Sequence, residues 1–391
     1  VGVAATSSLV AGLAIAPAAA VDDTQRYVVV AAGRSVDVDA SDLPRSARES
    51  SENYEAIDAV VAELTTEQAE ALDDQPGIVV SPDGWMTLVS AQSEATNPSG
   101  DRLGPTGVRL EPAATTAAWG RDRLDQRDLP LDGDYSNNDG VSGAGVHAYV
   151  IDTGIALDHP EFAGRVGASR SFAGDNGGAG DIDGHGTHVA GTLGSSIFGV
   201  APQVTLHSLR VVDASGGAAY STFIAALDFV ARTAVRPAVV NVSLGGVYDA
   251  AVNAAVNNLV RSGIPVVVAA GNSGDDARGY SPASAAEAIT VAASDSDDFD
   301  ADFSNYGPAV DLFAPGVGIA STYAENPAFA RIDSGTSMAA PHVAGWVALF
   351  LQHNPKATPA AVRQALVSTA TIGRIANEVS GTPDRLPYTK A

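Results

Sequence analysis

The sequence predicts an α/β protein: a doubly wound, mostly parallel sheet with helices on both faces, preceded by a small α+β domain. Three observations carry this reading. From Gly145 onward, short β-branched runs alternate with longer segments of helical spacing, the rhythm of strands joined by crossover helices. Of the 391 residues, 45% are hydrophobic and 17% charged, against ~25% charged in a typical soluble domain. Such a chain buries a sizeable core, which sets disorder aside. Cysteine is absent, so disulfides, thiolate chemistry and Cys-ligated zinc are excluded, and packing or bound ions must supply stability. With 22 Lys+Arg against 46 Asp+Glu the net charge is −24, which excludes general phosphate and nucleic-acid binding.

Taken in order, residues 1–20 are small and apolar and end in Pro17-Ala18-Ala19-Ala20. An apolar run closed by Ala-x-Ala reads as the end of a secretory signal cut after Ala20, and predicts a secreted, extracellular protein without stable membrane association. Residues 21–91 read as a small α/β unit. Its strands are Tyr27–Val30, Gly77–Val80 and Trp85–Val89, and helical spacing covers 53–64 and 66–73. Residues 92–113 begin a stretch rich in Ser, Thr, Asn, Pro and Gly that runs on to about Ala118. This is an exposed linker, easily cut by a protease.

The domain 114–391 carries the alternation. Strands are predicted at Val146–Ile151, Val204–Val212, Ala238–Ser243, Pro265–Ala269 and Ala288–Ala293, and helices over 187–195, 220–233, 249–262, 337–352 and 359–369. The acidic stretch Asp295–Asp302 reads as a solvated loop. Sites in such sheets lie beyond the carboxyl ends of the strands.

Four residues at element ends invite chemistry. Asp152 closes the strand Tyr149-Val150-Ile151 and precedes Thr153-Gly154; alone, it is equally a turn aspartate. His185 lies in Gly184-His185-Gly186-Thr187-His188, where flanking glycines let other backbone approach. The pair His185 and His188 lacks the intervening Glu of a helical zinc motif, so His188 is assigned to the core as a hydrogen-bonded residue. Ser337 opens an apolar helix, with Pro341 near its first turn; it is either a helix cap or a hydroxyl in the positive field of a helix N-terminus. Asn272 follows the strand Val266–Ala269 and the turn Ala270-Gly271; it is either a turn residue or an amide donor to an oxyanion.

Asp, His and Ser in this chain order match the order seen in subtilisin. Asp152-Thr153-Gly154, Gly184–His188, Asn241–Gly246, Ala269–Asn272 and Gly335–His342 resemble the signatures of the subtilisin-like serine proteases. Trp119–Leu131 and Phe303–Gly307 are similar to the proteinase K branch, and residues 21–91 resemble the family's inhibitory propeptide. The resemblance implies a secreted serine endopeptidase acting on polypeptides, made as a zymogen, held by its own propeptide as inhibitor and folding aid, cut between Gln92 and Trp119, and monomeric. It implies Ser337 as nucleophile, His185 as general base, Asp152 as its orienting partner and Asn272 as oxyanion donor. Ser243, Leu244 and Gly245 with Ala269, Ala270 and Gly271 would line a roomy apolar pocket for the residue before the cut bond. Gly216, Gly217 and Ala218 would pair with an extended substrate, although relatives usually carry glycine at the third of these positions.

Structural calcium is the implied cofactor. Asp122, Asp125, Gln126, Asp132 and Asp134 fall on ligand positions of the proteinase K branch, Asp134 replacing a neutral amide; a solvated acidic turn is the plainer account. A second implied site uses Asp311 with the Ala286 and Ala288 carbonyls. Ile182 and Ala309 stand where many relatives carry disulfide partners. Two rival readings remain at this stage. One is an aspartic protease built on Asp152 and Asp333, whose Asp-Thr-Gly and Asp-Ser-Gly turns match each other. The other is a secreted calcium-binding protein without catalysis.

Overall fold

The computed structural model describes residues 23–33, 36–88, 95–96, 102–103, 108–109, 118–136, 140–175 and 177–390. The expected signal segment 1–20, Val89 and most of the expected linker 92–113 lie outside the described residues.

The N-terminal unit is an antiparallel sheet of β1 (Gln25–Ala31), β2 (Glu52–Tyr54), β3 (Ala59–Leu64) and β4 (Ile78–Pro82), in the order β2-β3-β1-β4. The central strands β1 and β3 are apolar over Tyr27–Ala31 and Ala59–Ala62 because both of their faces are covered. Tyr27, Val29, Val60 and Ala62 pack with Leu72 of helix α1 (Thr66–Asp73). Val28, Val30, Ala59 and Val61 face the opposite way, into the core of the following domain. Helix α1 starts at a capping box in which the Thr65 hydroxyl accepts from Gln68 N–H and the Gln68 side chain accepts from Thr65 N–H.

The helix expected over 53–64 is not formed. That segment is β2, one 3-10 turn at Glu55–Ile57, and β3, with Asp58 left-handed at φ 51° between them. Alternate burial of Ala59/Val61 and Val60/Ala62 is a strand pattern, and a short apolar run does not distinguish helix from strand by period alone.

The larger domain is built on seven strands: β6 (His147–Asp152), β7 (Arg170–Ser171), β8 (Thr205–Arg210), β10 (Ala238–Val242), β12 (Val266–Ala269), β14 (Ile289–Ser294) and β15 (Leu312–Pro315). They pair in parallel throughout, in the order β7-β8-β6-β10-β12-β14-β15. On one face lie α3 (His185–Gly194) and α6 (Thr336–His353); on the other lie α4 (Tyr220–Thr233) and α5 (Ala250–Arg261). Helix α7 (Pro359–Thr369) follows α6. The doubly wound reading therefore holds, and the edge strands β7 and β15 are the pieces the sequence pattern did not reveal. β8 and β10 flank β6 on opposite sides, so the direction of winding reverses there and a crevice opens at the carboxyl ends of β6 and β10.

The acidic stretch Asp295–Asp302 is not wholly solvated. Asp298 is buried and receives Arg123 through Nε and Nη2 at 2.6 and 2.8 Å, and Asp300 is buried as well. Among the described residues no helix is long and apolar enough to cross a membrane.

Candidate active site

Asp152 is the last residue of β6 and is fully buried. Its Oδ1 accepts from Thr153 N at 2.7 Å and faces His185 Nδ1 at 2.8 Å. His185 is the first residue of α3, placed there by Gly184 at φ 98°, a backbone conformation that favours glycine. Burial pulls the His185 imidazolium down; the Asp152 carboxylate and its hydrogen bond, helped by the charges of Asp333 and Asp183, outweigh this and hold the pKa above its ordinary value of 6.5. The second ring nitrogen, Nε2, is buried without a hydrogen-bond partner among the described residues. The geometry thus supplies a buried base whose charged form is stabilised from behind.

Ser337 is the second residue of α6. Its Oγ donates to Ser243 O at 3.2 Å, and Ser243 Oγ donates back to Ser337 O at 3.0 Å. The return bond has a sequence cause. Pro341 stands four residues after Ser337, in the second turn of α6 rather than near the first, and has no N–H for the Ser337 carbonyl. The buried carbonyl takes the Ser243 hydroxyl instead, as buried backbone acceptors must find a donor. Asn241 Nδ2 donates to that same hydroxyl at 3.0 Å.

Asn272 is oriented by its carbonyl end, because Oδ1 accepts from Thr336 N at 2.9 Å and Thr336 Oγ1 at 2.7 Å. This turns the amide so that its NH₂ is the end left for other partners. Asn305 shapes the turn from below. It donates to Ala270 O at 2.9 Å and accepts from Ser273 N at 2.9 Å and Asp275 N at 3.2 Å. A Cβ on Gly271 would lie 2.2 Å from the Asn305 amide, so the glycine is required by that close approach.

A strand already lies in the cleft. β5 (Trp85–Leu88) runs antiparallel between β9 (Gly217–Ala219) and β11 (Leu244–Val247), pairing Thr87 with both Gly217 and Gly245 and Leu88 with Leu244. Met86 is fully buried beside Ala218, Tyr220 and Leu244. Beyond Leu88 a cavity of about 330 Å³ is lined by Gly245, Ala269, Ala270, Gly271 and Asn272. Ser243 and Leu244 are not among its lining residues; Val247, Tyr280 and Ala283 are. The N-terminal unit is anchored on α4 and α5 by polar groups: Asn258 Nδ2 donates to Ala31 O and Ile57 O at 2.9 and 2.8 Å, and Asp83 Oδ1 accepts from Ser221 N at 2.8 Å.

The loop 122–136 gathers the first set of expected calcium ligands. Asp122 Oδ2 accepts from Gly133 N at 3.0 Å, Asp125 Oδ2 accepts from Ser136 N at 2.6 Å, Gln126 Oε1 from Asp132 N at 3.1 Å, and Asp132 Oδ1 from Asp134 N at 3.0 Å. Asp122 and Asp125 are both buried, and each keeps one carboxylate oxygen without a hydrogen-bond partner. Burial, with Asp132 and Asp125 nearby, pushes the Asp122 carboxyl up to about 6. Lys390 Nζ approaches Asp125 Oδ2 at 3.1 Å. Two orphaned buried carboxylate oxygens fit a hard cation, although among the described residues no three acidic or histidine groups close on one point.

The second expected set does not fit a metal. Arg363 of α7 reaches Asp311 Oδ1 through Nε at 2.8 Å and Nη2 at 2.6 Å, and its Nη1 donates to Ala286 O at 2.9 Å. Thr290 N donates to the other oxygen, Asp311 Oδ2, at 3.0 Å. A guanidinium stands where the calcium expected from Asp311, Ala286 and Ala288 would sit, and it satisfies the buried carboxylate that the ion was meant to pair.

The remaining candidates separate. His188 is buried with Nε2 at 2.9 Å from Ile319 O, and burial pushes its pKa down to about 4. Asp333 pairs with Arg331 at 2.7 Å while Asp152 is held by His185, so each aspartate of the rival reading has its own close ion-pair partner. Asn305 and Asp181, the latter at the mouth of α3, were not singled out by sequence reasoning; the signal for each is a polar residue beside a glycine turn that carries a candidate.

Comparison with known proteins identifies the class. Residues 143–386 match the subtilase (peptidase S8) family model, and the chain belongs to that family of serine endopeptidases. Among its relatives, an extracellular serine proteinase of Thermus sp. (strain Rt41A) is 50% identical over 282 residues, covering 72% of this chain and 68% of the relative. An alkaline serine exoprotease A of Vibrio alginolyticus is 42% identical over 337 residues, 85% of this chain and 59% of the relative. The crystal structure of a cold-adapted subtilisin-like serine proteinase superposes with a TM-score of 0.67 at 44% identity, over 70% of this chain and 98% of that one.

Proposed function

We propose that this chain is a secreted serine endopeptidase, made as a zymogen, in which Ser337 is the nucleophile, His185 the general base and later acid, Asp152 the orienting carboxylate and Asn272 an oxyanion donor. The buried Asp152–His185 pair at the switch point of the sheet carries this reading. Attack begins when the Ser337 hydroxyl proton, directed at Ser243 O in the resting arrangement, is handed to His185 Nε2 as Oγ bonds to the substrate carbonyl carbon. The raised pKa of His185 matches that task, since Asp152 stabilises the imidazolium as it forms. Negative charge on the former carbonyl oxygen is met by the Asn272 NH₂ and the Ser337 N–H. His185 then gives its proton to the leaving amine, and water releases the acyl group by the reverse sequence.

Polypeptide substrates would lie where β5 lies, adding a strand between β9 and β11, with the side chain before the cut bond in the apolar cavity beyond Leu88. Residues 21–91 act as the intramolecular inhibitor and folding aid: β5 fills the cleft, and the sheet β2-β3-β1-β4 covers α4 and α5. Processing follows within residues 92–118, and the mature enzyme works as a monomer outside the cell. Asp122, Asp125, Gln126, Asp132 and Asp134 would hold calcium, which would supply charge compensation to the two buried carboxylates of this loop.

The test is intact mass and peptidase activity with and without a serine-directed phosphonate. One adduct on Ser337 with loss of activity is expected. Full activity with no adduct would sink the serine assignment, and activity confined to acid pH would redirect mutagenesis to Asp152 and Asp333.

A further inference from the structure

Asp181 is assigned no role above, yet its carboxylate joins the two turns that carry Asp152 and His185. Its Oδ1 accepts from Thr153 Oγ1 at 2.8 Å, Gly184 N at 2.8 Å and Asp183 N at 3.0 Å. Its Oδ2 accepts from Thr187 N at 2.8 Å and from the Thr187 hydroxyl. With its proton committed to Asp181, Thr153 Oγ1 is left as an acceptor, and it takes Gly186 N at 2.9 Å. Thr153 in turn is bound through its N–H to Asp152 Oδ1 at 2.7 Å, the oxygen that also faces His185 Nδ1.

The result is a closed circuit: Asp152 to Thr153, Thr153 to Asp181 and Gly186, and Gly184-His185-Gly186 back to Asp152. There is little slack in it. Thr153 is fully buried, and a Cβ on Gly186 would lie 2.1 Å from Gly154 O, so the two turns already touch. The carboxylate also suits the positive end of α3, whose first N–H groups need acceptors.

We infer that Asp181 is a positioning residue for peptide hydrolysis: acting through Thr153, it fixes the approach of His185 to Asp152. This rests on the assignment of Asp152, His185 and Ser337 made above. A residue that only caps α3 would alter the melting temperature and leave the catalytic parameters alone. A positioning residue alters kcat, because displacement of a reacting group by about 1 Å costs about 100-fold.

The experiment uses five forms of the full-length chain: wild type, Thr153→Val, Thr153→Ser and Asp181→Asn after self-processing, and Ser337→Ala, which cannot cut itself and is assayed unprocessed. Thr153→Val removes the link at nearly constant volume and leaves the Asp181 charge in place, so its effect is not one of lost charge. On the alkaline plateau, where His185 is neutral, its kcat is expected to fall by about 100-fold with KM little changed. The acid limb of kcat/KM moves to lower pH as His185 loses part of the Asp152 hold. Thr153→Ser restores both, and Asp181→Asn lowers plateau kcat in the same way. Wild-type plateau kcat and an unmoved acid limb in both Thr153→Val and Asp181→Asn overturn the inference, whatever their melting temperatures. If Thr153→Val does not fold, Asp181→Asn decides by the same two readings. Hydrolysis that survives Ser337→Ala would instead overturn the catalytic assignment itself.

Discussion

Arg363→Gln tests whether the chain has replaced an ion with one of its own side chains. The substitution removes a hydrogen bond and an ion-pair contact to Asp311 Oδ1 and a hydrogen bond to Ala286 O, leaving the carboxylate of Asp311, a residue 6% exposed, with Thr290 N as its remaining hydrogen-bond donor. Breaking a fully buried ion pair costs about 3–5 kcal/mol. The arginine end is 39% exposed, so water screens part of this and about 2–3 kcal/mol is expected. At about 2–4 °C per kcal/mol for a domain of this size, the melting temperature falls by about 4–12 °C. The direction with pH follows from Asp311. Burial raises its pKa and Arg363 opposes the rise, so removing Arg363 raises it further. The loss is therefore largest above that pKa and shrinks in acid, where the carboxyl is protonated in the folded and unfolded chain alike. The assay is thermal melting in chelator at pH 8 and pH 4, in a Ser337→Ala background to prevent self-digestion. A variant that melts with its parent at pH 8 would refute the claim that the guanidinium does the work of a cation.

Asp300→Asn should raise stability at pH 8 by up to about 3 kcal/mol and leave pH 3 nearly unchanged. Burial pushes the Asp300 carboxyl from 3.8 to about 6, so its favourable share is present below pH 3.8 and lost as pH rises through about 6; equal denaturant midpoints at pH 8 would contradict this. Chelator should lower the melting temperature of the parent, and Asp125→Asn should abolish that response, whereas a melt unmoved by chelator counts against the loop 122–136 as a calcium site. Met86→Ala in the otherwise native full chain should shorten the lag before peptidase activity appears by about 10- to 100-fold, the equivalent of about 1.5–3 kcal/mol of lost burial. An unchanged lag would show that β5 does not restrain the enzyme.

The parallel sheet was readable because its strands are continuous apolar runs bounded by turn residues, and because Tyr220–Thr233 and Pro359–Thr369 keep a helical period to their ends. The candidate residues were readable because Asp152, His185 and Asn272 lie within two residues of glycines that the turns require, at φ values near 100° for Gly154, Gly184 and Gly271. Long-range pairings were not. Asp311 advertises a buried carboxylate but not its partner, since Arg363 comes from a helix 52 residues later. Arg123 and Asp298 meet across 175 residues, which turned an apparently solvated acidic loop into a partly buried one. The N-terminal unit was misread over 53–64 for a different reason: Val60 and Val61 are buried on opposite faces, so period 2 and period 3.6 look alike over so short a run.

The strand at Trp85–Leu88 has a consequence for what such an enzyme can digest. The middle strand of β9-β5-β11 is the chain's own β5, and a substrate bound there as proposed would have to replace its four residues, which span about 13 Å at full extension. A compact protein seldom offers that much straight backbone with both edges bare. Helices have their edges occupied, and interior strands already have neighbours. Digestion of a folded protein by this route is then governed less by the sequence at the cut than by how often a segment of that length peels away from its own structure. The enzyme becomes a gauge of local opening in its substrates, and its choice among proteins a ranking of their weakest segments.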